Sequence, residues 1–143
     1  MRDEELLLLE NQVCFPTYAV ANKILRRYQP LLKELDLTYT QYVTMMVLWE
    51  KERINEKDLV NALYLKANTL TDMLKNLKKK ELISIEKDTV DKRNIVITLT
   101  EKGKGLKKKA IRVPKTIVEE HWLTDEEFVI YKKLLYKLLN GNW

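Results

Sequence analysis

The sequence predicts a mainly α-helical protein with one small β-hairpin. Three observations carry that expectation. Only three glycines and three prolines interrupt 143 residues, so long helices are favoured over loops. Apolar residues recur at three- and four-residue spacings along most of the chain. Strict alternation occurs in only two short stretches, Ile83 to Glu86 and Ile95 to Leu99.

Residues 4 to about 28 read as a first helix, whose apolar stripe of Val13, Val20, Ile24 and Leu31 continues past Pro30. Pro16 interrupts this helix as a residue without a backbone donor, and a kink is expected there. Thr38 and Gln41 form a capping box that starts a second helix through Val43, Met46, Val47 and Glu50. Asn55 caps a short third helix from Glu56 to about Leu63. After Tyr64 and Leu65 the residues Leu70, Met73, Leu74 and Leu77 follow the i, i+3, i+4, i+7 rule, the clearest amphipathic helix in the chain. Its other face presents Asn68, Thr69, Thr71, Asp72, Lys75, Asn76 and Lys79, all able to hydrogen-bond bases or phosphates.

The two alternating stretches form strands joined by the polar residues 87 to 94, a hairpin tip containing Asp91, Lys92 and Arg93. Thr100 then caps a long helix to about Trp122, with a kink expected at Pro114. Thr124 and Glu127 repeat the capping box before a last helix carrying Phe128, Tyr131, Leu134, Leu135 and Leu138.

The formal net charge of +5 is unevenly placed. Residues 66 to 109 hold 13 Lys or Arg against 6 Asp or Glu, a surplus of seven, while the rest of the chain carries 13 against 15. A polyanionic partner, nucleic acid above all, suits that asymmetry; a solvated lysine-rich face is the alternative. A short helix, a tight turn, a polar-faced amphipathic helix and a basic hairpin, in that order, make a winged helix-turn-helix over about 38 to 99. A helix fits the major groove, and Arg93 on the wing suits a narrow minor groove, with Asp91 placed to orient its guanidinium. The flanking helices, about 4 to 34 and 100 to 140, exceed what a small winged module needs, and their apolar stripes favour a homodimer within a single-domain chain. A two-fold dimer would set its reading helices about 34 Å apart, matching a pseudo-palindromic site.

Cys14 is the only cysteine, so no intrachain disulfide can form. It is either a buried, inert thiol or an exposed, reactive one. Tyr18, four residues on, lies on nearly the same helical face, where its hydroxyl can donate to a thiolate. Tyr28 shares that face but stands about 21 Å along a straight helix, so it reaches Cys14 only from a second copy of the chain. Met1 to Glu5 is acidic and the Leu6 to Leu9 run is short, so neither a signal peptide nor a membrane span is predicted; a cytoplasmic protein is expected. His121, the sole histidine, is expected on the long helix and has no companion cysteine, so no metal site is predicted.

Several segments resemble the MarR family of dimeric transcription regulators, and within it the one-cysteine organic-hydroperoxide-sensing repressors of the OhrR type. The resemblance runs from about Glu10 to Val118. It rests on Glu-Asn-Gln-Val-Cys-Phe at 10 to 15, Leu-Thr-Tyr-Thr-Gln-Tyr at 37 to 42, Leu-Tyr-Leu at 63 to 65 and Thr-Leu-Thr at 69 to 71. Asp91-Lys92-Arg93 and Ile97 through Gly103 extend it. The resemblance implies that Cys14 is oxidised by a hydroperoxide to a sulfenic acid and then captured by a small thiol or oxidised further. It implies a pocket of Tyr18, Tyr28 and Tyr39, with Tyr28 from the partner subunit, and release of a double-stranded operator on oxidation. No cofactor is implied.

This chain departs from the family pattern at Lys66-Ala67-Asn68, where Asp-Ser-Gly is usual, at Asp72, where proline is common, and at Pro16. The operator sequence therefore does not carry over from the family. Two other readings compete. One is a MarR-type regulator that senses a phenolic or other amphipathic small ligand, with Cys14 structural. The other is a thiol peroxidase, disfavoured because there is no resolving cysteine and no Cys-x-x-Cys.

Overall fold

A computed structural model describes all 143 residues, in two compact units, Met1–Ala110 and Ile111–Trp143. The first unit holds five α-helices and a three-stranded sheet: α1 Cys14–Lys33, α2 Tyr39–Lys51, β1 Arg53–Asn55, α3 Glu56–Leu63, α4 Ala67–Lys79, β2 Ile83–Lys87, β3 Ile95–Leu99 and α5 Glu101–Ala110. The second holds α6 Arg112–Glu119 and α7 Asp125–Leu139.

The N-terminal segment differs from the long helix expected there. Asp3–Leu7 and Leu9–Asn11 are 3-10 turns, and α1 starts only at Cys14. Pro16 explains the boundary. It is the third residue of α1, where an amide would have no helical acceptor, so a missing N–H costs nothing. Pro30 is the proline that lies inside the helix, which continues past it to Lys33. The expected long helix after Thr100 is likewise two helices. Pro114 has no N–H to donate to the Ala110 carbonyl, and α6 restarts at Arg112 with Pro114 again in its first turn. His121 lies beyond α6 in a left-handed turn, φ 47°, and is exposed.

Other boundaries follow the local chemistry read from the sequence. Thr38 Oγ1 accepts from the Gln41 amide at 3.2 Å, and Gln41 Oε1 accepts from the Thr38 amide at 3.1 Å. The Thr124 and Glu127 pair repeats this at 3.2 and 2.9 Å. Asn55 Oδ1 caps α3 through the Asp58 amide at 2.8 Å. Tyr64, in the left-handed region at φ 53° and ψ 31°, ends α3 and turns the chain into α4.

The hairpin is part of a larger sheet than expected, antiparallel in the order β1-β3-β2. β1 pairs Ile54 with Ile97, and β2 pairs Ile85 with the same residue from the other side. The core of this unit forms between α2, α3, α4 and the sheet: Met45, Leu48, Leu59, Leu70, Leu77 and Ile97 are fully buried. Thr44 is buried with them, its hydroxyl bonded to the Thr40 carbonyl at 2.7 Å. Gly103 fixes α5 against the sheet, because a Cβ there would collide with the Leu82 carbonyl and lie 2.7 Å from Leu99 Cδ1.

Within the second unit, Val113 is the only buried residue. α7 buries none, leaving Phe128, Ile130, Tyr131, Leu134 and Leu138 exposed.

Candidate functional site

Two groups of residues stand out, at opposite ends of α1. At its start, Asn11 Nδ2 donates to the Glu5 carbonyl at 2.8 Å, and Gln12 Nε2 donates to the Leu6 and Leu8 carbonyls at 2.6 and 3.1 Å. These amides fold the N-terminal segment back on itself and deliver Cys14 as the first helical residue. Within one protomer the thiol is exposed. Tyr18, one turn on, is 67% exposed.

At the far end, the Tyr28 ring meets Tyr39 edge-on, with centroids 5.1 Å apart, and Tyr42 at 6.2 Å. Tyr39 and Tyr42 are 6.3 Å apart, which closes a triangle, and Tyr42 continues to Trp49 at 6.5 Å. Tyr42 and Trp49 were not among the residues singled out from the sequence. The i, i+3 spacing of Tyr39 and Tyr42 on a capped helix was the available signal for Tyr42. Trp49 Nε1 donates to the Gly103 carbonyl at 2.9 Å, tying the aromatic row to the first turn of α5.

All three phenols hold their protons more tightly than usual. Burial, then the neighbouring Tyr39 and Tyr42 hydroxyls, push Tyr28 up to about 12. Burial raises Tyr39, and burial followed by Tyr39 raises Tyr42. At physiological pH each keeps the O–H needed to donate to an anion. Tyr28 thus keeps company with Tyr39 inside one protomer, while along α1 Cys14 stands fourteen residues, about 21 Å, from Tyr28 and Tyr18 ten residues, about 15 Å.

The basic face forms around α4 and the β2–β3 hairpin. Asn68, Thr69, Thr71 and Lys75 are all exposed, opposite the buried Leu70, Met73, Leu74 and Leu77. Asn68 Oδ1 accepts from the Thr69 amide at 2.9 Å, and the Thr71 hydroxyl donates to the Ala67 carbonyl at 3.0 Å. The hairpin tip closes through Asp88 N–H to the Asn94 carbonyl at 2.9 Å and Asn94 N–H to the Asp91 carbonyl at 3.0 Å. Asp91 grips Arg93 as expected, with Oδ1 3.1 Å from Nε and Oδ2 3.3 Å from Nη2. That pairing lowers the Asp91 carboxyl below its ordinary range. The Arg93 side chain stays 91% exposed, and Lys92 beside it is exposed too.

Residues 26–110 match the family model described as Transcriptional regulator SarA/Rot. The chain belongs to this family of MarR-type winged-helix regulators. Over 131 residues it is 40% identical to the organic hydroperoxide resistance transcriptional regulator of Bacillus subtilis, covering 92% of this chain and 89% of that protein. It is 35% identical over 135 residues to the HTH-type transcriptional regulator SarZ of Staphylococcus saprophyticus, covering 94% and 92%. Overoxidized AbfR bound to DNA superposes with a TM-score of 0.80 at 31% identity, covering 96% of this chain and 97% of that one. MarR from E. coli with operator DNA, at TM-score 0.80 and 23% identity, shares the fold. For this MarR-type chain the mainly helical fold with its small sheet is as expected. No helix in it is long and apolar enough to cross a membrane.

Proposed function

We propose that this chain is a cytoplasmic, homodimeric repressor that binds a pseudo-palindromic operator and releases it when an organic hydroperoxide oxidises Cys14. The observation that carries this reading is the divided site: an exposed thiol at one end of α1 and proton-retaining phenols packed at the other. A second copy, placed two-fold, supplies Tyr28 and Tyr39 together to the Cys14 and Tyr18 of its partner. The exposed apolar residues of α7 and of the N-terminal turns are the surface such a dimer buries, so the dimerisation segments are about 4–34 and 100–140. Relatives support the same reading, since the similar Bacillus protein is named for organic hydroperoxide resistance and AbfR is seen on DNA in both reduced and overoxidized states.

In the chemical step the Cys14 thiolate attacks the outer peroxide oxygen. The O–O bond breaks, an S–O bond forms, and the alkoxide leaves as the alcohol after gaining a proton, giving sulfenic acid. A small thiol then displaces hydroxide, which leaves as water, to form a mixed disulfide. The phenols hydrogen-bond the anionic sulfur before reaction, and a neutral, bulkier adduct ends those bonds. The DNA-reading side uses Asn68, Thr69, Thr71 and Lys75 on α4 in the major groove. Asp91, Lys92 and Arg93 on the wing approach the minor groove.

Gel shifts on the DNA upstream of the chain's own gene, with stoichiometric organic hydroperoxide and mass spectrometry of Cys14, test the reading. Wild type should release DNA as the sulfenic or mixed-disulfide mass appears, and Cys14→Ser should stay bound. Release by Cys14→Ser would instead favour a phenolic or amphipathic ligand, for which a cleft of about 450 Å³ lined by Leu25, Leu32, Leu37, Tyr39 and Lys80 is available. In this reading the oxidation of Cys14 is a signal rather than a turnover step, so the chain acts as a regulator and not as a peroxidase. Sustained peroxide loss with a thiol reductant would overturn that point.

A further inference from the structure

The outward face of α4 contains an acid that the fold does not use, and any part it plays in reading DNA rests on α4 being the groove-entering helix. At 100° per residue, Asn68, Asp72, Lys75 and Lys79 project within about 30° of the direction opposite the buried stripe; Thr69, Thr71, Asn76 and Lys78 flank them at about 70 to 90°. Asp72 therefore occupies the middle of the surface a duplex would meet. It is the only acidic residue of α4, which carries Lys75, Lys78 and Lys79.

Its neighbours are already partly engaged. The Asn68 oxygen and the Thr71 proton are both used within the helix, at 2.9 and 3.0 Å. Asp72 is exposed and has no hydrogen bond or ion pair, not even with Lys75 one turn away. An ionised carboxylate can only accept, and phosphate oxygens can only accept, so Asp72 gains nothing from the DNA backbone and is repelled by it. In the major groove the available donors are the exocyclic amino groups, N4 of cytosine and N6 of adenine; guanine and thymine offer acceptors at the equivalent places.

We propose that Asp72 is a specificity-determining residue that accepts a hydrogen bond from an amino group of cytosine or adenine at one position of each half-site. Guanine or thymine on that strand sets acceptor against acceptor and is rejected. The same charge weakens binding to unrelated duplex, while Lys75 and Lys79 on the same face supply attraction to phosphates.

Selection from a pool of random duplexes tests this with the full-length reduced protein, comparing wild type, Asp72→Ala and Asp72→Asn. All three keep an exposed helical position filled by a residue that the helix accommodates. Wild type should enrich a two-fold motif with cytosine or adenine at one symmetric position, preferred about tenfold. Asp72→Ala should lose that preference alone, leave the other positions unchanged, and bind random duplex more tightly. Asp72→Asn should narrow the same position to adenine, whose N6 and N7 match an amide. An Asp72→Ala motif identical to wild type at every position would overturn the assignment of Asp72 and leave the DNA-binding reading intact. Failure of wild type to enrich any motif would overturn both.

Discussion

At its start, α1 carries Cys14 and Tyr18 in the open, behind a Val13 that is 81% exposed. Fourteen residues on, the same helix packs Tyr28 against Tyr39 and Tyr42 and buries Leu32 to 2%. A continuous helix is too stiff to bring its own ends together, so a site that needs both a reactive thiol and shielded phenols must join unlike ends of two copies. The contrast also separates two kinds of residue. Those at the packed end hold the protomer together, whereas Val13, Cys14 and Tyr18 at the open end are left exposed by it.

Mixed dimers should give the largest effect. A Cys14→Ser protomer paired with a Tyr28→Phe, Tyr39→Phe protomer retains one complete site if the phenols act across the dimer, and none if they act within a chain. Under the first arrangement the surviving Cys14 lies on the doubly substituted protomer and faces wild-type tyrosines, so its sulfenic acid should form at the wild-type rate. In the doubly substituted homodimer that rate should fall about tenfold or more, the worth of a charge-assisted hydrogen bond. Stopped-flow oxidation of the purified mixed dimer decides it, and a slow rate there would place the phenols in cis.

Stability measurements probe the same contrast. Leu32→Ala, at the packed end, should cost about 2 to 5 kcal/mol in denaturant unfolding, because a buried leucine leaves a cavity. Val13→Ala, at the open end, should change the protomer itself by no more than about 0.5 kcal/mol. A larger loss that grows with rising protein concentration and vanishes on dilution would show that a second copy covers Val13.

Much of this architecture was legible because it is written locally. The stripe of Leu70, Met73, Leu74 and Leu77 and the boxes at Thr38–Gln41 and Thr124–Glu127 each specify structure within one or two turns, and the fold follows them. β1 was not legible, since three residues, Arg53–Asn55, are too few to show alternation and are strand only through pairing with β3. The two proline boundaries were visible as residues but read as kinks. A proline in the first turn marks a helix start, and Pro16 and Pro114 both do so. Of the candidate site, the exposure of Arg93 and its grip by Asp91 followed from spacing. The place of Tyr42 in the aromatic cluster and the hydrogen bond from Trp49 to Gly103 depend on how α2 packs against other elements, which no local pattern encodes.

The smallest effect lies in alkaline titration of the packed end. Tyr28 ionises at about 12 in the folded chain against an ordinary 10.0, so the fold favours its neutral form. Below pH 10 both the folded and unfolded states are protonated and the stabilisation is fully present; between 10 and 12 the unfolded chain loses the proton first, and stability falls as pH rises through that window. Following tyrosinate absorbance through the native titration, wild type should show a late-ionising phenol that Tyr28→Phe removes. Tyr28→Phe should also flatten the loss of stability over the same range, since it removes the ionisation and the coupling that raises Tyr28 beside Tyr39 and Tyr42. If the late phase survives Tyr28→Phe unchanged, burial at this end of α1 does not set the proton affinity of Tyr28, and the distinction between the two ends loses its electrostatic half.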